Sequence, residues 1–503
     1  MKQTRCLGFL LVMSGLILGL KGAEPPGRVH LTTGQHQLFL DDYLVGSLYR
    51  VKRQVNPPVK YEGNPVVFAE KPWERHPGPK WNPAETEALQ IRSAPCWDPR
   101  EQVWKMWYYS ASRTLFARSK DGIKWEKPSL GKREFQGSKD NNMVLVRGDP
   151  ESFIQHVLLD PDGTPERRYK GFIGGRNRHP VVSADGYVFT KLDVPLIPSQ
   201  DESHLNYDEV KKRFIATVKH RGPFGRAVFL SLSKDFEQWT EPELIFHADA
   251  YDQLLGERRV QDHLANPRLR LMTVNQPEHY NTEIYNMPVF PYEGIYIGLP
   301  NFFESSGHSP NRNQEGVNSV KLSTSRDPSL KKWVKVGDRG SFIPVSEVGG
   351  GAIDTGQVLA ASRPQVHGDE LWFYYTGYNH RFQKDDPYQG AIHLAKLKRD
   401  RFAFFGSDKK GGFVETRAVS FDGSRLFVNA DASDGELRVE VVNERGREVL
   451  EGWTRDRCRS IQGDHLSAEV KWTGQQDLSA LRGQRVRFRF RLYSARLFSF
   501  WVQ

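Results

Sequence analysis

Acidic residues recur at the start of several aromatic-rich segments of this chain. Glu85 and Glu87 open "AETEALQIRSAPCW", Asp201 and Glu202 open "SQDESHLNYD", Glu283 opens "YNTEIYNMPVFPYEGIY", and Asp354 opens "GGGAIDTGQV". An acidic pair, Asp41 and Asp42, follows "LFL" near the N-terminus. Carboxylates aimed at one bond can divide the work of breaking an acetal. One protonates the leaving oxygen while the other activates water or attacks. On spacing alone, Asp201 is expected as base or nucleophile, Glu283 as general acid, and Asp354 as the group that orients substrate or tunes the acid. A sugar ring also needs an aromatic platform and polar donors. Tyr285, Tyr292, Tyr378 and His380 are candidates, with Glu87 beside them, and Arg221 and Arg363 could hold an anionic sugar. Trp107, Tyr109 and Trp372 sit in mid-segment, where packing is the expected role.

Such residues need elements that converge, and the sequence contains a repeat that supplies them. "SKDGIKW" (Ser119–Trp125), "SADGYVF" (Ser183–Phe189), "SKDFEQW" (Ser233–Trp239) and the stretched "SRDPSLKKW" (Ser325–Trp333) each close a run of alternating apolar residues. Alternation ended by a polar turn is the pattern of antiparallel strands, and a strand unit copied at intervals is the pattern of propeller blades. Units fall at about 85–130, 140–195, 200–245, 280–340 and 350–405, the last with "LKRD" at its turn. The expected fold is all-β: a five-bladed β-propeller over 24–405, then a β-sandwich over 412–503, where "ELRVEVVN" and "QRVRFRFRLYSARLFSFWVQ" alternate. The segment "HQLFLDDYLVG" is expected to complete the fifth blade and close the ring.

Composition agrees with this and narrows the classes. Of 503 residues, 38% are apolar and 12% aromatic, with 44 Gly and 30 Pro, so strands and turns should outweigh helices. Residues 1–23 read as a signal peptide: Lys2 and Arg5 precede an apolar run, Leu7–Leu20, too short to span a bilayer. A secreted or periplasmic protein without a membrane span is expected. Loss of Lys2, Arg5 and Lys21 lowers the formal charge from +10 to +7. The remaining Lys and Arg are scattered and no nucleic-acid motif accompanies them, so an acidic glycan fits this charge better than nucleic acid does. Cys96 and Cys458, 362 positions apart, are read as free thiols rather than a disulfide or a metal pair. No His/Glu zinc motif, phosphate loop or G-x-S-x-G elbow is present.

The segments "LFLDDYLV", "KMWYYS", "ARSKDGIKWEKPSLG", "YNMPVFPYEGIYIGL", "ELWFYYTGYNH" and "LRGQRVRFRFRLYSARLFSFWV" resemble the five-bladed propeller glycosidases, glycoside hydrolase families 32, 43 and 68 and their relatives. The likeness is greatest to the secreted group called family 32 N-terminal-like. That resemblance implies a secreted hydrolase of plant or algal oligo- or polysaccharides, needing no cofactor, and leaves open a channel calcium ion of the kind some relatives hold. It also implies that the first strand supplies the base, which makes Asp42 an alternate catalytic residue. The family's W-M-N-D-P-N motif is missing, which keeps a non-catalytic glycan-binding protein as the alternative. Arg326-Asp327-Pro328 matches a second family motif, yet Asp327 aligns with Asp121, Asp185 and Asp235 of the repeat and is read as scaffold. A sialidase-like enzyme is a third reading, since the repeat is similar to the aspartate box, but the count of units is five rather than six.

Overall fold

The computed structural model describes residues 29–75, 86–110, 113–310, 313–381, 387–475 and 477–503. The expected signal peptide and Glu85 lie outside the described residues. The chain is mostly β, and its strands from Val59 to Lys398 form sheets in a propeller-like arrangement. Four of these sheets stand separately. The first holds Cys96–Asp98, Val103–Ser110 and Arg113–Ser119. The second runs from Ile154–Leu159 through Tyr169–Ile173 and His179–Ser183 to Val188–Lys191, with Leu145–Val146 on its edge. Ser203–Asp208, Arg213–Gly222, Gly225–Ser233 and Glu243–Phe246 make the third, and Val289–Tyr292, Ile295–Gly298, Ser323–Ser325 and Val334–Lys335 the fourth.

The strands expected as a fifth unit, Gln357–Ala360, Glu370–Tyr378 and Gln389–Lys398, belong to a larger nine-stranded sheet. They are joined through Asn318 and Gln357 to a long insertion, Asn281–Asn286, Asn301–His308 and Gln314–Val320. The strand beside Gln389–Lys398 is Val59–Lys60, not the expected segment from His36 to Gly46. That segment is drawn elsewhere by its apolar side chains. Phe39 packs its ring against Phe405, Phe490 and Phe500, and Gln37–Leu38 pairs with Ser499 and Phe500. Residues 29–55 thereby join the C-terminal strands in one connected eleven-stranded sheet around a core that includes Leu31, Leu44, Phe421, Val439 and Phe488.

The repeated turn is scaffold, and its construction is the same in the first three copies. Asp121 Oδ1 accepts the main-chain N–H groups of Ile123 and Lys124 and the Ser119 hydroxyl, and Asp185 and Asp235 do the same with their neighbours. This is a side-chain-stapled turn. Each copy turns through a left-handed residue: Gly122, Gly186, Phe236 and, in the stretched fourth copy, Leu330. Neighbouring sheets then grip these turns. Tyr374 donates its hydroxyl to Gly122 O at 2.7 Å, Trp107 Nε1 donates to Gly186 O at 2.7 Å, and Phe172 stacks on Phe236 at 5.6 Å. Arg213 reaches the fourth turn through Pro328 O at 2.6 Å. In the same fourth turn Asp327 bonds Ser329 and Lys331, and Arg326 leaves the propeller to meet Asp41 at 2.8 Å. Asp121→Ala should therefore cost about 1–2 kcal/mol of stability, one or two net hydrogen bonds, and spare the chemistry. Urea unfolding measures the cost, and a selective loss of turnover at unchanged stability would overturn the scaffold reading. Burial opposes ionisation of Asp121, but the Lys124 and Ile123 N–H groups and Ser119 outweigh it and hold the carboxyl below its usual range. Its stabilising contribution is thus present above the unfolded carboxylate value near 3.9 and is lost as pH falls through the lower folded value.

Among the described residues one α-helix, Ala250–Ala265, follows the third sheet in sequence, packs on Asn281–Asn286 and Asn301–His308, and was not expected. Asp249 caps it by accepting from Asp252 N, and Asp252 reciprocates. Lys335 and Arg339 then hold both acids, fixing the helix to the sheet behind it. Cys96, which opens the first sheet, and Cys458, buried in the core of the eleven-stranded sheet, are free thiols.

Candidate functional site

The innermost strands bring polar side chains from several sheets to one place. Arg92 enters after the first inner segment, Gln155 and His156 lie on Ile154–Leu159, and Glu202 immediately precedes Ser203–Asp208. Arg92 and Glu202 form a two-pronged ion pair, with Nε to Oε2 and Nη2 to Oε1 both at 2.7 Å. Their side chains are 1% and 7% exposed. The remaining donors of Arg92 reach Ile91 O, Thr376 and Gln90, and Asn286 donates to Glu202 Oε2 at 3.1 Å. Four segments far apart in sequence therefore share one charge pair. Burial pushes the Glu202 carboxyl up, but Arg92, with help from Lys219 and Asn286, overcomes this and holds it at about 2. Glu202 is a fixed anion and no proton donor at neutral pH.

Outward from this hub lies the ring of Tyr285, half-buried against Ala88, Leu359, Tyr378 and Tyr388. Lys219 Nζ sits 4.0 Å from its centroid, with the Arg381 and Arg226 guanidinium carbons at 5.4 and 5.7 Å. Each is within cation–π range. Lys219 pairs with Asp201 at 2.6 Å, and the Asp201 side chain is 63% exposed. Arg226 pairs with Glu283 at 3.0 Å and gives its main-chain N–H to the same carboxylate at 2.6 Å, while Gln314 donates to Glu283 at 2.7 Å. Glu283 can lie so close to that hairpin because residue 225 is glycine: a Cβ there would stand 2.4 Å from Oε2, at a φ of +98° that also disfavours a side chain. All the bonds recorded for Glu283 are accepted ones, so a proton-donor role requires Gln314 or Arg226 to withdraw.

Asp201, Glu283, Tyr285, Tyr378 and His380 are thus brought together. Tyr378 stacks on Tyr388 at 5.1 Å, and His380 tilts against the same ring at 5.3 Å, its imidazole pushed down to about 4 by burial and Arg270. Glu87 is adjacent, its N–H bonding Tyr388 O and its carboxylate paired with Arg75 at 2.8 Å. The other expected residues lie apart. Asp354 is buried, bonding Lys60 from the outermost strand at 2.6 Å and Tyr375 at 2.9 Å. Burial raises its carboxyl, but His393 and Lys60 outweigh that and lower it. Asp42 is 78% exposed and pairs with Arg53, because the strands flanking it belong to the eleven-stranded sheet. Tyr292 donates to Asp400 at 2.7 Å beside His36 and Glu293, which with Asp400 form one group of metal-ligand type among the described residues. There His36 Nδ1 already meets Asp400 Oδ2 at 2.5 Å and its ring stacks on Trp501. Arg221 is exposed near the end of the strand Arg213–Gly222, opposite Arg226, and Arg363 faces Glu209 at 3.7 Å. Tyr109, expected as packing, is buried yet faces Arg92, whose guanidinium carbon is 5.8 Å from its ring.

Arg92, Arg178, Lys219 and Arg226 are the site residues that sequence reasoning passed over. Lys219 and Arg226 flank the hairpin whose Arg221 drew notice, and only register shows which basic residue turns inward.

No known family model matches the chain, and no curated protein matches it. Solved structures do resemble it, at low identity. A glycosyl hydrolase from Bacteroides ovatus is 11% identical with a TM-score of 0.40, covering 72% of this chain and 96% of that one. A protein described with the GH130 family of mannoside phosphorylases and glycoside hydrolases is 13% identical with a TM-score of 0.39, over 72% and 97% of the two chains. An N-acetylgalactosamine deacetylase from F. plautii is 11% identical with a TM-score of 0.38, over 70% and 97%.

Proposed function

We propose that this protein is a secreted enzyme of glycoside hydrolase type that cleaves plant or algal oligo- or polysaccharide at the mouth of its propeller. One observation carries the reading: Asp201 and Glu283 are each held by a cation, Lys219 or Arg226, that also packs on the ring of Tyr285. Two carboxylates are therefore each tied through one cation to the same half-buried aromatic ring, the set of groups that a sugar ring between an acid and a base needs. In this reading Asp201, open to solvent, is the base or nucleophile. Glu283 is the acid once substrate displaces Gln314, and Tyr378, His380 and Glu87 line the sugar site. The strands Gln357–Ala360, Glu370–Tyr378, Gln389–Lys398 and Val59–Lys60 are the fifth blade, and the eleven-stranded sheet folds over its core as a sandwich. Secretion rests on the apolar run Leu7–Leu20.

Incubation of the purified protein with a panel of plant and algal glycans tests the reading. Release of new reducing ends is expected, and it should fall sharply in Asp201→Asn and Glu283→Gln. A second reading, a glycan-binding protein without turnover, is favoured by the arginine partners of both buried carboxylates. Retention on a glycan affinity gel with no product over days would select it.

A further inference from the structure

The charges at this site do not balance. Around Glu202 and Tyr285, the cations Arg92, Arg178, Lys219 and Arg226 face the three carboxylates Asp201, Glu202 and Glu283. Adding Arg381 and Glu315, which act on one another, leaves the difference unchanged.

The surplus is traceable to a residue. Arg92 has Glu202, and Arg226 has Glu283. Arg178 is 0% exposed, and among the described residues no carboxylate lies within ion-pair distance of it. Its nitrogens are spent instead on Gly174 O, Asn177 O, Gln200 O and the Ser203 hydroxyl, all between 2.6 and 2.8 Å. Asp201 and Glu202 act on it only at longer range. Burying a charge without a partner is costly unless something compensates it.

Lys219 stands between that surplus and solvent. Its side chain is 2% exposed and its ammonium makes no hydrogen bond, yet its ion-pair partner Asp201 is 63% exposed, with no other side-chain partner among the described residues. Of the carboxylates here, Asp201 is the one another anion can replace. Whatever replaces it lies against Tyr285, whose ring centroid is 4.0 Å from the ammonium. The position thus offers a cation and an aromatic face side by side, suited to a ring that carries a negative group.

We propose that Lys219, backed by the buried charge of Arg178, is the specificity determinant for an acidic sugar unit, recognised through a carboxylate or a sulfate ester while the sugar ring lies on Tyr285. The inference rests on the carbohydrate reading above and adds the substrate class. It also gives Asp201 a trigger: a substrate anion takes its place on Lys219, and the released carboxylate is free to act as base. A neutral glycan leaves the Asp201–Lys219 pair closed.

The test is calorimetric titration of the full chain with uronate oligosaccharides of pectic and algal origin, with sulfated algal oligosaccharides, and with the carboxyl-reduced or desulfated counterpart of each. The acidic form is expected to bind at least tenfold tighter, with the gap narrowing as salt is raised. Preference for uronate or for sulfate identifies the source of the anion. Lys219→Met should bring acidic and neutral forms within about twofold of each other. Should Lys219→Met not fold, the acidic-to-neutral ratio and its salt dependence in the wild type decide the matter. Equal affinity for acidic and neutral forms, or discrimination retained in Lys219→Met, overturns the proposal and leaves the carbohydrate reading standing. If no glycan of either kind is bound or cleaved, the carbohydrate reading falls and the proposal falls with it.

Discussion

Arg92→Met is expected to destabilise the folded protein by about 3–5 kcal/mol, the cost of leaving one member of a buried ion pair without its partner. The substitution keeps much of the side-chain volume, so a cavity is not the main loss. What remains is Glu202, 5% exposed, with Asn286 as its surviving short donor among those described. The damage should not stay local, because the same guanidinium also bonds Thr376, Gln90 and Ile91 O. Equilibrium urea unfolding checks the magnitude, and a loss below 1 kcal/mol would mean that the hub does not tie the sheets together. The double variant Arg92→Met/Glu202→Gln supplies the control. By removing the stranded charge it should recover part of the loss, although a buried amide still pays for unmade hydrogen bonds. Acid adds an independent check. Glu202 is held at about 2, so its contribution is complete above the unfolded glutamate value near 4.3 and is lost as pH falls toward 2. In Arg92→Met that acid-dependent loss should shrink.

How far the sequence could be read depends on the range of the interactions involved. The Ser-x-Asp turns are local, each closing hydrogen bonds within three or four residues, so their repetition located the sheets and marked Arg326-Asp327-Pro328 as part of a fourth copy of the turn. The helix at Ala250–Ala265 was equally local and was legible in principle. Its Asp249 cap and the Asn266-Pro267 stop stand in a stretch that the strand repeat left unassigned. The N-terminal strand was lost for the opposite reason. "LFL" announces a strand but not its partner, and Gln37–Leu38 pairs with residues more than 460 positions later. The site shows both cases. Asp201 and Glu202 were noticed together, and in the structure one is open to solvent on Lys219 while the other is buried on Arg92. Which one is buried is set by contact with Arg92, 110 positions earlier, and a single sequence does not contain that contact. Asp41 and Asp42 repeat the problem: one meets Arg326 across 285 positions while its neighbour faces solvent.

Asp201→Asn is expected to lower turnover on a cleavable glycan by about 10²–10⁴-fold, the range ascribed to a positioned base, while leaving the fold intact. The stability half of this expectation follows from exposure. The Asp201 side chain is 63% exposed and its contact with Lys219 is an ion pair rather than a hydrogen bond, so an asparagine there strands no hydrogen-bonded partner and its amide dipole still faces the ammonium. The rate half follows from what the amide lacks: it neither removes a proton from water nor attacks an anomeric carbon. Glu202→Gln, one residue away, should behave in the reverse manner. It should unfold the hub and lose activity only in proportion to the protein lost, since Glu202 is fixed on Arg92 and exchanges no proton near neutral pH. Initial rates of reducing-end release, normalised to the folded fraction from thermal melts, separate the two. If Asp201→Asn keeps the wild-type rate while Glu283→Gln abolishes it, the base must come from elsewhere on the mouth, and Glu87, paired with the half-exposed Arg75, is the carboxylate to substitute next.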